Sequence, residues 1–302
     1  MHTSVKPGTM QRGKDMNIVF ICTGNTCRSP MAAGIFSKKT EKFSQYLNVS
    51  SCGTGAMVGD TASLNAISVM TARGIDISDH RSRPVNQYII DDADFIICIS
   101  PSHYNALLPY AKDKLIMLGA GIPDPYMGNE DVYSQCADMI ETEIDKLLAS
   151  DIFLEISEMT KDDIDTVAQI EKDNFSEPWS YDSFVSQLNK NYAINFTVRY
   201  LGKPIGYICC DDIIGEVNVN TVAVDKTFRR RGIGSILINK TVEWCKNNNS
   251  DSLTLEVRES NIPAINLYSK FGFEILGKRK NFYSKPIEDA LIMTKYFNGD
   301  NK

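Results

Sequence analysis

Residues 17–33 read NIVFICTGNTCRSPMAA and decide the fold of the first half of the chain. The stretch opens with a short apolar run of the length and composition of a buried strand. A loop over 22–28 follows, and Ser29 and Pro30 have the residue types of an N-cap and a first helical position, which predicts a helix at 31–39. Such a strand–loop–helix unit directs several backbone N–H groups at one concavity, so the stretch predicts a phosphate-binding site.

The loop carries two residues suited to phosphoryl transfer, a cysteine at its base and an arginine at its rim. Amide dipoles and a nearby guanidinium stabilise a thiolate, so we expect Cys22 to be ionised at neutral pH and able to attack phosphorus. The planar fork of Arg28 can hold two phosphoryl oxygens. A cysteine and an arginine at this spacing are weak evidence by themselves, and the alternative is a structural buried cysteine beside an incidental arginine.

The same loop resembles the signature of the low-molecular-weight phosphotyrosine phosphatase family, Cys-x-Gly-Asn-x-Cys-Arg-Ser-Pro. Every fixed position of that signature is met, by Cys22, Gly24, Asn25, Cys27, Arg28, Ser29 and Pro30. With Thr23 and Thr26 these residues would form the phosphate-binding loop that the resemblance implies. The resemblance also implies a phosphocysteine intermediate on Cys22.

A proton donor for the leaving group is expected on another loop of such an enzyme. Asp124-Pro125-Tyr126 follows the last predicted strand of this half and matches the Asp-Pro-aromatic element that the family carries there. The resemblance implies that Asp124 protonates the leaving atom and then activates the water that hydrolyses the phosphocysteine. Taken alone, Asp-Pro is also a common turn.

Thr26 bears on which phosphoryl compound is the substrate. Tyrosine-directed members of the family usually carry an aliphatic residue there, whereas the subgroup similar to bacterial protein-arginine phosphatases carries threonine. Residues 22–30 repeat that subgroup's loop letter for letter. A hydroxyl at the pocket wall offers a polar contact near a P–N bond, and isoleucine would only pack against an aromatic ring. The loop therefore favours phosphoarginine over phosphotyrosine in a protein substrate, although Tyr126 could stack on either.

Cys27 allows three interpretations. In the simplest it is a small buried hydrophobic residue, and in the second it captures an oxidised Cys22 as a disulfide. The third is arsenate reduction, which needs a further cysteine pair in a mobile segment. Cys98 and Cys136 stand alone, so the sequence does not favour this third interpretation.

The first half alternates between strand and helix patterns. Strands are predicted at 47–52, 95–99 and 115–118, and helices at 62–72, 102–111 and 132–148. Continuous apolar strands with interleaved helices predict an α/β fold, a doubly wound four-stranded parallel sheet with its ligand site at the carboxyl ends of the strands. We expect a flexible extension at 1–15, this domain at 16–150 and a second domain at 151–302, beginning with a strand at 152–156.

The second half has a ligand-binding pattern of its own. A strand at 217–224 precedes the segment RRRGIG at 229–234 and a helix predicted at 235–246. Glycines let the backbone approach a ligand and N–H groups at a helix start can hold a pyrophosphate, although a solvated basic turn has the same composition. The segment resembles the Arg/Gln-x-x-Gly-x-Gly/Ala acetyl-CoA signature of the GNAT acetyltransferases.

Further segments of this half resemble the ribosomal-protein-alanine N-acetyltransferases of the RimI type. They are EPWS at 177–180, LEVRESN at 255–261, AINLYSKFGF at 264–273, NFY at 281–283 and EDA at 288–290. The resemblance covers about 152–297 and implies a GNAT α/β domain. It also implies acetyl-CoA as the acetyl donor and the N-terminus of a ribosomal protein as the acceptor.

The resemblance assigns roles residue by residue. It implies that Glu256 is the general base for the attacking α-amine and that Tyr268 is the acid beside the departing sulfur. An amine with a pKa of about 8 is partly deprotonated at neutral pH, so a modest base suffices. Taken separately, a solvated strand residue and a core aromatic are the alternatives for these two. The implied acetyl-CoA-binding residues are Val222, Ala223, Val224, Arg229, Arg230, Arg231, Gly232, Ile233, Gly234, Ser235 and Asn261.

Composition limits the remaining functions. The net charge of −6 is divided evenly, with 13 basic and 16 acidic residues up to residue 150 and 19 and 22 after it, so neither half predicts a nucleic-acid partner. No apolar run approaches the roughly 20 residues of a membrane span, and 1–15 lacks the apolar core of a signal peptide, so we expect a cytoplasmic protein with no membrane partner. The eight cysteines are scattered and no paired Cys/His spacing occurs, which predicts reduced thiols and no metal.

Three hypotheses fit the whole chain. The first is a bifunctional enzyme that joins an arginine phosphatase to an N-terminal acetyltransferase. The second is one active enzyme with a degenerate domain used for binding, and complete catalytic sets in both halves argue against it. The third is a tyrosine phosphatase joined to an acetyltransferase of small molecules or lysine.

Overall fold

The computed structural model describes residues 15–297, which divide after Phe153 into two compact units. Apart from Asp15, the extension predicted at 1–15 lies outside the described residues. The first unit contains β1 (Met16–Cys22), α1 (Arg28–Lys39), β2 (Leu47–Gly53), α2 (Leu64–Ala72), α3 (Gln87–Asp92), β3 (Phe95–Cys98), α4 (Pro101–Ala111), β4 (Leu115–Met117) and α5 (Glu130–Ala149).

The sheet of the first unit has four parallel strands in the order β2-β1-β3-β4, which confirms the predicted doubly wound α/β fold. Every residue of β1 is buried, because the strand is central and helices cover both faces of the sheet. Ile18 pairs with Val49 on one side and with Phe95 on the other. This register brings Cys22 to the carboxyl end of the sheet, beside Gly53.

The structure corrects three details of the prediction for this unit. Helix α1 begins at Arg28, so Ser29 is not its N-cap and is free to use its hydroxyl elsewhere. Helix α3 has no counterpart in the prediction, since its six residues are too few for a periodic pattern. The strand predicted at 152–156 begins only at Leu154, because Phe153 packs edge-on against Phe36 and Phe95 in the first unit.

The second unit is built on a seven-stranded mixed sheet in the order β10-β11-β9-β8-β7-β6-β5, in which only β8 and β9 are parallel neighbours. Its elements are β5 (Leu154–Glu158), α6 (Ile164–Asn174), α7 (Tyr181–Leu188), β6 (Ala193–Tyr200), β7 (Lys203–Ile213), β8 (Glu216–Val224), α8 (Ile233–Asn247), β9 (Ser252–Arg258), α9 (Ile262–Lys270), β10 (Glu274–Ser284) and β11 (Ile287–Tyr296).

Helices cover the two faces of this sheet separately. On β7, Tyr207 packs in one buried cluster with residues of α6 and α7, including Phe184. The preceding residue, Gly206, points the other way, where an added Cβ would lie 3.0 Å from Ile233 of α8. Since successive strand residues face opposite sides, α6 and α7 lie on one face of the sheet and α8 lies on the other.

The two parallel strands at the centre of the sheet pair over a short length only. Residues 216–218 of β8 pair with 252–254 of β9, and no further pairs join them in the described structure. The opposite edge of β8 carries a bulge at Asn220, because Thr221 pairs with Cys209 while Val219 pairs with Cys210. The sheet therefore opens between the two strands beyond residue 218.

Candidate active sites

The first site is built around the sulfur of Cys22, where β1 ends. The backbone N–H of Asn25 donates to Cys22 Sγ at 3.2 Å, and Ser29 Oγ lies 3.0 Å from the same sulfur. The sulfur thus has two polar neighbours close to it in sequence. One of them is Ser29, which the sequence pattern predicts to cap the helix. The sulfur therefore lies at the base of the loop among polar groups, a placement that suits a nucleophile for phosphorus.

Asn25 holds the loop in shape from within. Its backbone is left-handed, with φ of 56°, and its side chain is fully buried. The amide Nδ2 donates to Ser29 Oγ at 2.9 Å and to Ser51 Oγ at 2.8 Å, while Oδ1 accepts the backbone N–H of Arg83 at 3.0 Å. Its carbonyl accepts from His80 Nε2 at 2.6 Å. Sequence reasoning missed Ser51, His80 and Arg83 because they come from separate segments that share no motif.

The predicted phosphate-binding arginine and the predicted acid lie together. The guanidinium of Arg28 is buried, and it donates to the carbonyl of Ile122 at 3.2 Å and to Asp124 Oδ2 at 2.5 Å. The other oxygen, Oδ1, accepts the backbone N–H of Tyr126 at 3.2 Å. Asp124 is half exposed, so it lies at the mouth of the site while Arg28 lies inside it.

A buried histidine, His103, contacts the phosphate-binding loop at Thr23. His103 Nε2 lies 3.0 Å from Thr23 Oγ1, and His103 Nδ1 lies 2.8 Å from Ser100 Oγ. Burial, and then the charge of Arg28, lower the pKa of His103 to about 4, against the opposing effect of Asp124. The ring is therefore neutral at pH 7 and positions Thr23 by hydrogen bonding.

The other four cysteines of this unit are buried among its side chains. Cys27 Sγ lies 3.1 Å from the hydroxyl of Tyr133, whose pKa is raised to about 12 by burial and by this contact. Burial raises the pKa of Cys52, Cys98 and Cys136 to about 12. These three are neutral thiols at pH 7 and are poor nucleophiles. All eight cysteines of the chain lie within residues 15–297 and are free thiols.

Gly53 packs against the phosphate-binding loop so closely that no side chain fits there. An added Cβ would lie 2.3 Å from the carbonyl oxygen of Thr23 and 3.0 Å from the backbone nitrogen of Asn25. We therefore expect Gly53→Ala to displace the loop by roughly 1 Å and to lower kcat/KM of dephosphorylation about tenfold to a hundredfold. The measurement is steady-state hydrolysis of a small aryl phosphate.

Gly55→Ala is the matched control for this variant. Gly55 donates its N–H to Thr23 at 3.0 Å, and an added Cβ there makes only an ordinary contact, 3.8 Å from Thr23 Cγ2. Its activity should equal that of the wild type. Equal activities of both variants would show that the loop tolerates the displacement.

The second site is a cavity of about 600 Å³ at the opening of the sheet. Four parts of the unit form its walls: the end of α6 and the link to α7, strand β8, strand β9 with α9, and the β10–β11 hairpin. The lining residues are Glu171, Asn174, Phe175, Ser176, Glu177, Trp179, 219–222, 255–258, Asn261, Tyr268, Phe282, Tyr283, Lys285 and Pro286. The predicted base and the predicted acid of acetyl transfer therefore line one cavity, although Glu256 lies on a strand and Tyr268 on α9.

Glu256 and Tyr268 differ in their surroundings. The carboxylate of Glu256 is partly exposed and accepts a close ion-paired hydrogen bond from Arg279, whose guanidinium stacks on Phe282 at 4.2 Å. Tyr268 is buried and packs against Phe273. Burial raises the pKa of Tyr268 to about 12, so its phenol stays protonated at neutral pH.

The predicted acetyl-CoA segment forms the start of α8. The helix begins at Ile233, two residues earlier than predicted, after Arg230 and Gly232 with left-handed φ values of 62° and 82°. Arg229 contacts the side chain of Asn174, and Arg231 stacks on Tyr200 and Phe228. Two of the three exposed arginine side chains thus contact other residues of this unit. The first backbone N–H groups of a helix have no partner within the helix, so those at the start of α8 can bind a ligand.

The other predicted acetyl-CoA residues lie at the opening of the sheet or beside it. Val222, Ala223 and Val224 form the end of β8, and Val222 lines the cavity. Asn261 caps α9 by accepting the backbone N–H of Ala264 at 3.3 Å. An unpaired strand edge beside the start of a helix suits a pantetheine chain that ends in a pyrophosphate, so these residues fit acetyl-CoA.

Comparison with known proteins agrees with this geometry. The profile of the low molecular weight phosphotyrosine protein phosphatases matches residues 17–162, and that of the acetyltransferase (GNAT) family matches 164–273. A putative [ribosomal protein bS18]-alanine N-acetyltransferase from Bacillus subtilis is 38% identical over 139 residues, which are 46% of this chain and 92% of the relative. The chain belongs to both families.

Its phosphatase half has relatives of two kinds. A protein-arginine-phosphatase from Geobacillus stearothermophilus is 36% identical over 140 residues, which are 43% of this chain and 92% of the relative. A low molecular weight protein-tyrosine-phosphatase from Acinetobacter johnsonii is 32% identical over 133 residues, which are 42% of this chain and 91% of the relative. The chain is thus a phosphatase fused to a GNAT acetyltransferase, and acetyl-CoA use follows from the second family.

Two further observations concern membranes and metals. No helix within residues 15–297 combines the length and the apolar character that crossing a bilayer requires. In the same part of the chain, no group of three or more His, Cys, Asp or Glu side chains is placed to hold a metal ion.

Proposed function

We propose that the chain is a bifunctional enzyme, a protein-arginine phosphatase joined to an acetyl-CoA-dependent acetyltransferase of a protein N-terminus. The proposed phosphatase activity is supported by Asn25 N–H and Ser29 Oγ, which lie at the sulfur of Cys22. The pair that Arg28 of the same loop forms with Asp124 supports it further. The observation that carries the second half is the shared cavity of Glu256 and Tyr268.

The phosphatase reaction proceeds in two displacements at phosphorus. Cys22 Sγ forms a bond to phosphorus while the bond to the leaving nitrogen breaks, and Asp124 gives that nitrogen its proton. Arg28 holds two phosphoryl oxygens in both steps. Asp124 then takes a proton from water, whose oxygen bonds to phosphorus as the S–P bond breaks. The Ser29 hydroxyl, 3.0 Å from the sulfur, stabilises the departing thiolate.

The preference for phosphoarginine depends on Thr26. Its side chain is half-buried in the phosphate-binding loop, with Oγ1 3.6 Å from Cys27 Sγ. A hydroxyl there contacts the polar guanidine of phosphoarginine, whereas phosphotyrosine presents an apolar ring. A tyrosine phosphatase is the second candidate, favoured by the exposed ring of Tyr126 next to Asp124.

Thr26→Ile should shift the preference from phosphoarginine towards phosphotyrosine, because the substitution replaces a polar contact by apolar surface. We expect the ratio of the two kcat/KM values to change about tenfold or more. The measurement uses two peptides that differ only in the phosphorylated residue.

Thr71→Ile, on the exposed side of α2, is the control for this variant and should leave the ratio unchanged. A constant ratio in Thr26→Ile would show that Thr26 does not distinguish the substrates. The choice of phosphoarginine would then lose its main support.

In the second half, acetyl-CoA supplies an activated acetyl group when it is bound. Residues 222–224, the segment 229–235 and Asn261 would hold it. Glu256 takes the proton from the nitrogen of the acceptor amine, directly or through water, and so frees the lone pair of that nitrogen. Tyr268 holds the proton that the departing sulfur requires, since its phenol is neutral at pH 7.

The acceptor proposed for this half is a free α-amine on a ribosomal protein, supported by the relative named putative [ribosomal protein bS18]-alanine N-acetyltransferase. Mass spectrometry on peptides with a free or a blocked N-terminus, each with an internal lysine, tests this acceptor. Acetylation only of the free N-terminus is expected. Modification of lysine, or equal modification of both peptides, would leave a lysine-directed or small-molecule enzyme as the better account.

A further inference from the structure

The cavity of the second unit contains a buried carboxylate that has no role in the acetyl transfer proposed for Glu256 and Tyr268. Glu171, near the end of α6, lines the cavity and is only 2% exposed. Its Oε1 accepts the backbone N–H of Trp179 at 3.1 Å. Its Oε2 accepts from the hydroxyl of Thr221 at 3.1 Å and, in a shorter contact, from the hydroxyl of Tyr207.

All three donors to Glu171 are neutral. Burial, and then the charge of Glu171, raise the pKa of Tyr207 far above its usual range, so its phenol stays a donor. Within the part of the chain that the structure describes, no lysine, arginine or histidine forms an ion pair with this carboxylate. A buried carboxylate without a cation is costly, and such groups are normally paired.

The other carboxylates of the cavity are different. Glu256 is paired with Arg279, and Glu177 is exposed, accepts from Ser284 Oγ at 2.7 Å and lies 4.0 Å from the ammonium of Lys285. Of the three glutamates that line the cavity, Glu171 is therefore the one without a cationic side chain beside it in residues 15–297.

The carboxylate of Glu171 lies on the face of the sheet opposite α8. Glu171 belongs to α6, and its partner Tyr207 faces α6 and α7, whereas α8 lies on the opposite face. Of the segment 229–235, which leads into α8, Arg229 reaches α6 through its contact with Asn174. Thr221 joins Glu171 to the bulged part of β8, directly before Val222. The carboxylate thus reaches the opening of the sheet from the face opposite α8, and we expect the acceptor to enter from that face.

We propose that Glu171 is the binding point for the ammonium group of the acceptor. An α-amine with a pKa of about 8 enters mostly as the cation at pH 7, and a buried carboxylate attracts it strongly. Glu171 binds the nitrogen through its carboxyl oxygens, while the proton that must leave goes to Glu256. This inference rests on the proposed function, because it requires an amine as the acetyl acceptor.

The test compares two peptides that differ only at the N-terminus. One begins with alanine, and the other begins with a propionyl group, which has the same carbon skeleton without the amine. Binding of each to the full chain is measured by calorimetry with CoA present. The wild type should bind the alanyl peptide roughly 10- to 100-fold more tightly, and Glu171→Gln should bind both peptides equally. Equal binding of the two by the wild type, or preserved discrimination in Glu171→Gln, would overturn the proposal.

Two further variants separate binding from folding. Glu171→Asp keeps the charge and should retain part of the discrimination, and Glu177→Gln removes an exposed carboxylate of the same cavity and should retain all of it. The KM for acetyl-CoA should stay within about twofold in Glu171→Gln, because the carboxylate lies on the acceptor side. A raised KM for acetyl-CoA with unchanged discrimination would assign Glu171 a structural role instead. Failure of the proposed function itself is seen separately, as absence of α-amine acetylation by the wild type.

Discussion

Replacing Cys22 with serine should abolish dephosphorylation and leave acetylation at the wild-type rate. A serine hydroxyl is a much weaker nucleophile than a cysteine sulfur, so the attack on phosphorus should fail even though Asn25 N–H and Ser29 Oγ still flank this position. The second activity should persist because Glu256 and Tyr268 belong to the other unit. Both activities are measured on the same purified preparation.

Cys136→Ala is the matched control for the loss of a thiol. Cys136 is buried in the same unit, and burial raises its pKa to about 12, so it is neutral at pH 7. The control should retain phosphatase activity. A substantial phosphatase rate in Cys22→Ser, on protein free of contaminating enzymes, would exclude Cys22 as the nucleophile.

Replacing Glu256 with glutamine should lower the rate of acetylation about 10²- to 10⁴-fold while the affinity for acetyl-CoA hardly changes. Glutamine keeps the size of the side chain but cannot take a proton. Because Glu256 lies on β9 and is not among the residues that would hold acetyl-CoA, the acetyl-CoA segment should be undisturbed. Steady-state kinetics with a free N-terminal peptide measures the rate, and calorimetry measures the affinity.

Glu259→Gln is the control, since Glu259 follows β9 closely and pairs with Lys278 on the exposed surface. Its acetylation rate should equal that of the wild type. An unchanged rate in Glu256→Gln would show that another group of the cavity is the general base. Glu171, which is also a carboxylate that lines the cavity, would then be the first candidate.

Contiguous motifs predicted much of both sites. The loop over 22–30 contains Cys22 and Arg28 within a strand–loop–helix pattern, and the structure brings Asp124 to this loop from nearly one hundred residues away. The four-stranded sheet could be predicted because its strands are apolar on both faces. The mixed sheet of the second half followed from the GNAT resemblance and not from periodicity.

What the sequence did not predict depends on contacts between distant segments. His80 and His103 occur singly and carry no motif, yet one supports Asn25 and the other supports Thr23. The sequence does not show that Gly53 has no room for a side chain, since an added Cβ would lie 2.3 Å from the carbonyl oxygen of Thr23. Glu171 sits in an amphipathic helix, where a carboxylate is usually solvated, and only the fold shows that it is buried at a cavity.

One peptide can test whether the chain holds two independent catalytic centres. The peptide begins with a free alanine and carries an internal phosphoarginine, and its mass is followed after incubation with the full chain and acetyl-CoA. The wild type should remove one phosphate and add one acetyl group. Cys22→Ser should only add the acetyl group, and Glu256→Gln should only remove the phosphate. Loss of both changes in either variant, or both changes at full rate in each of them, would contradict the account.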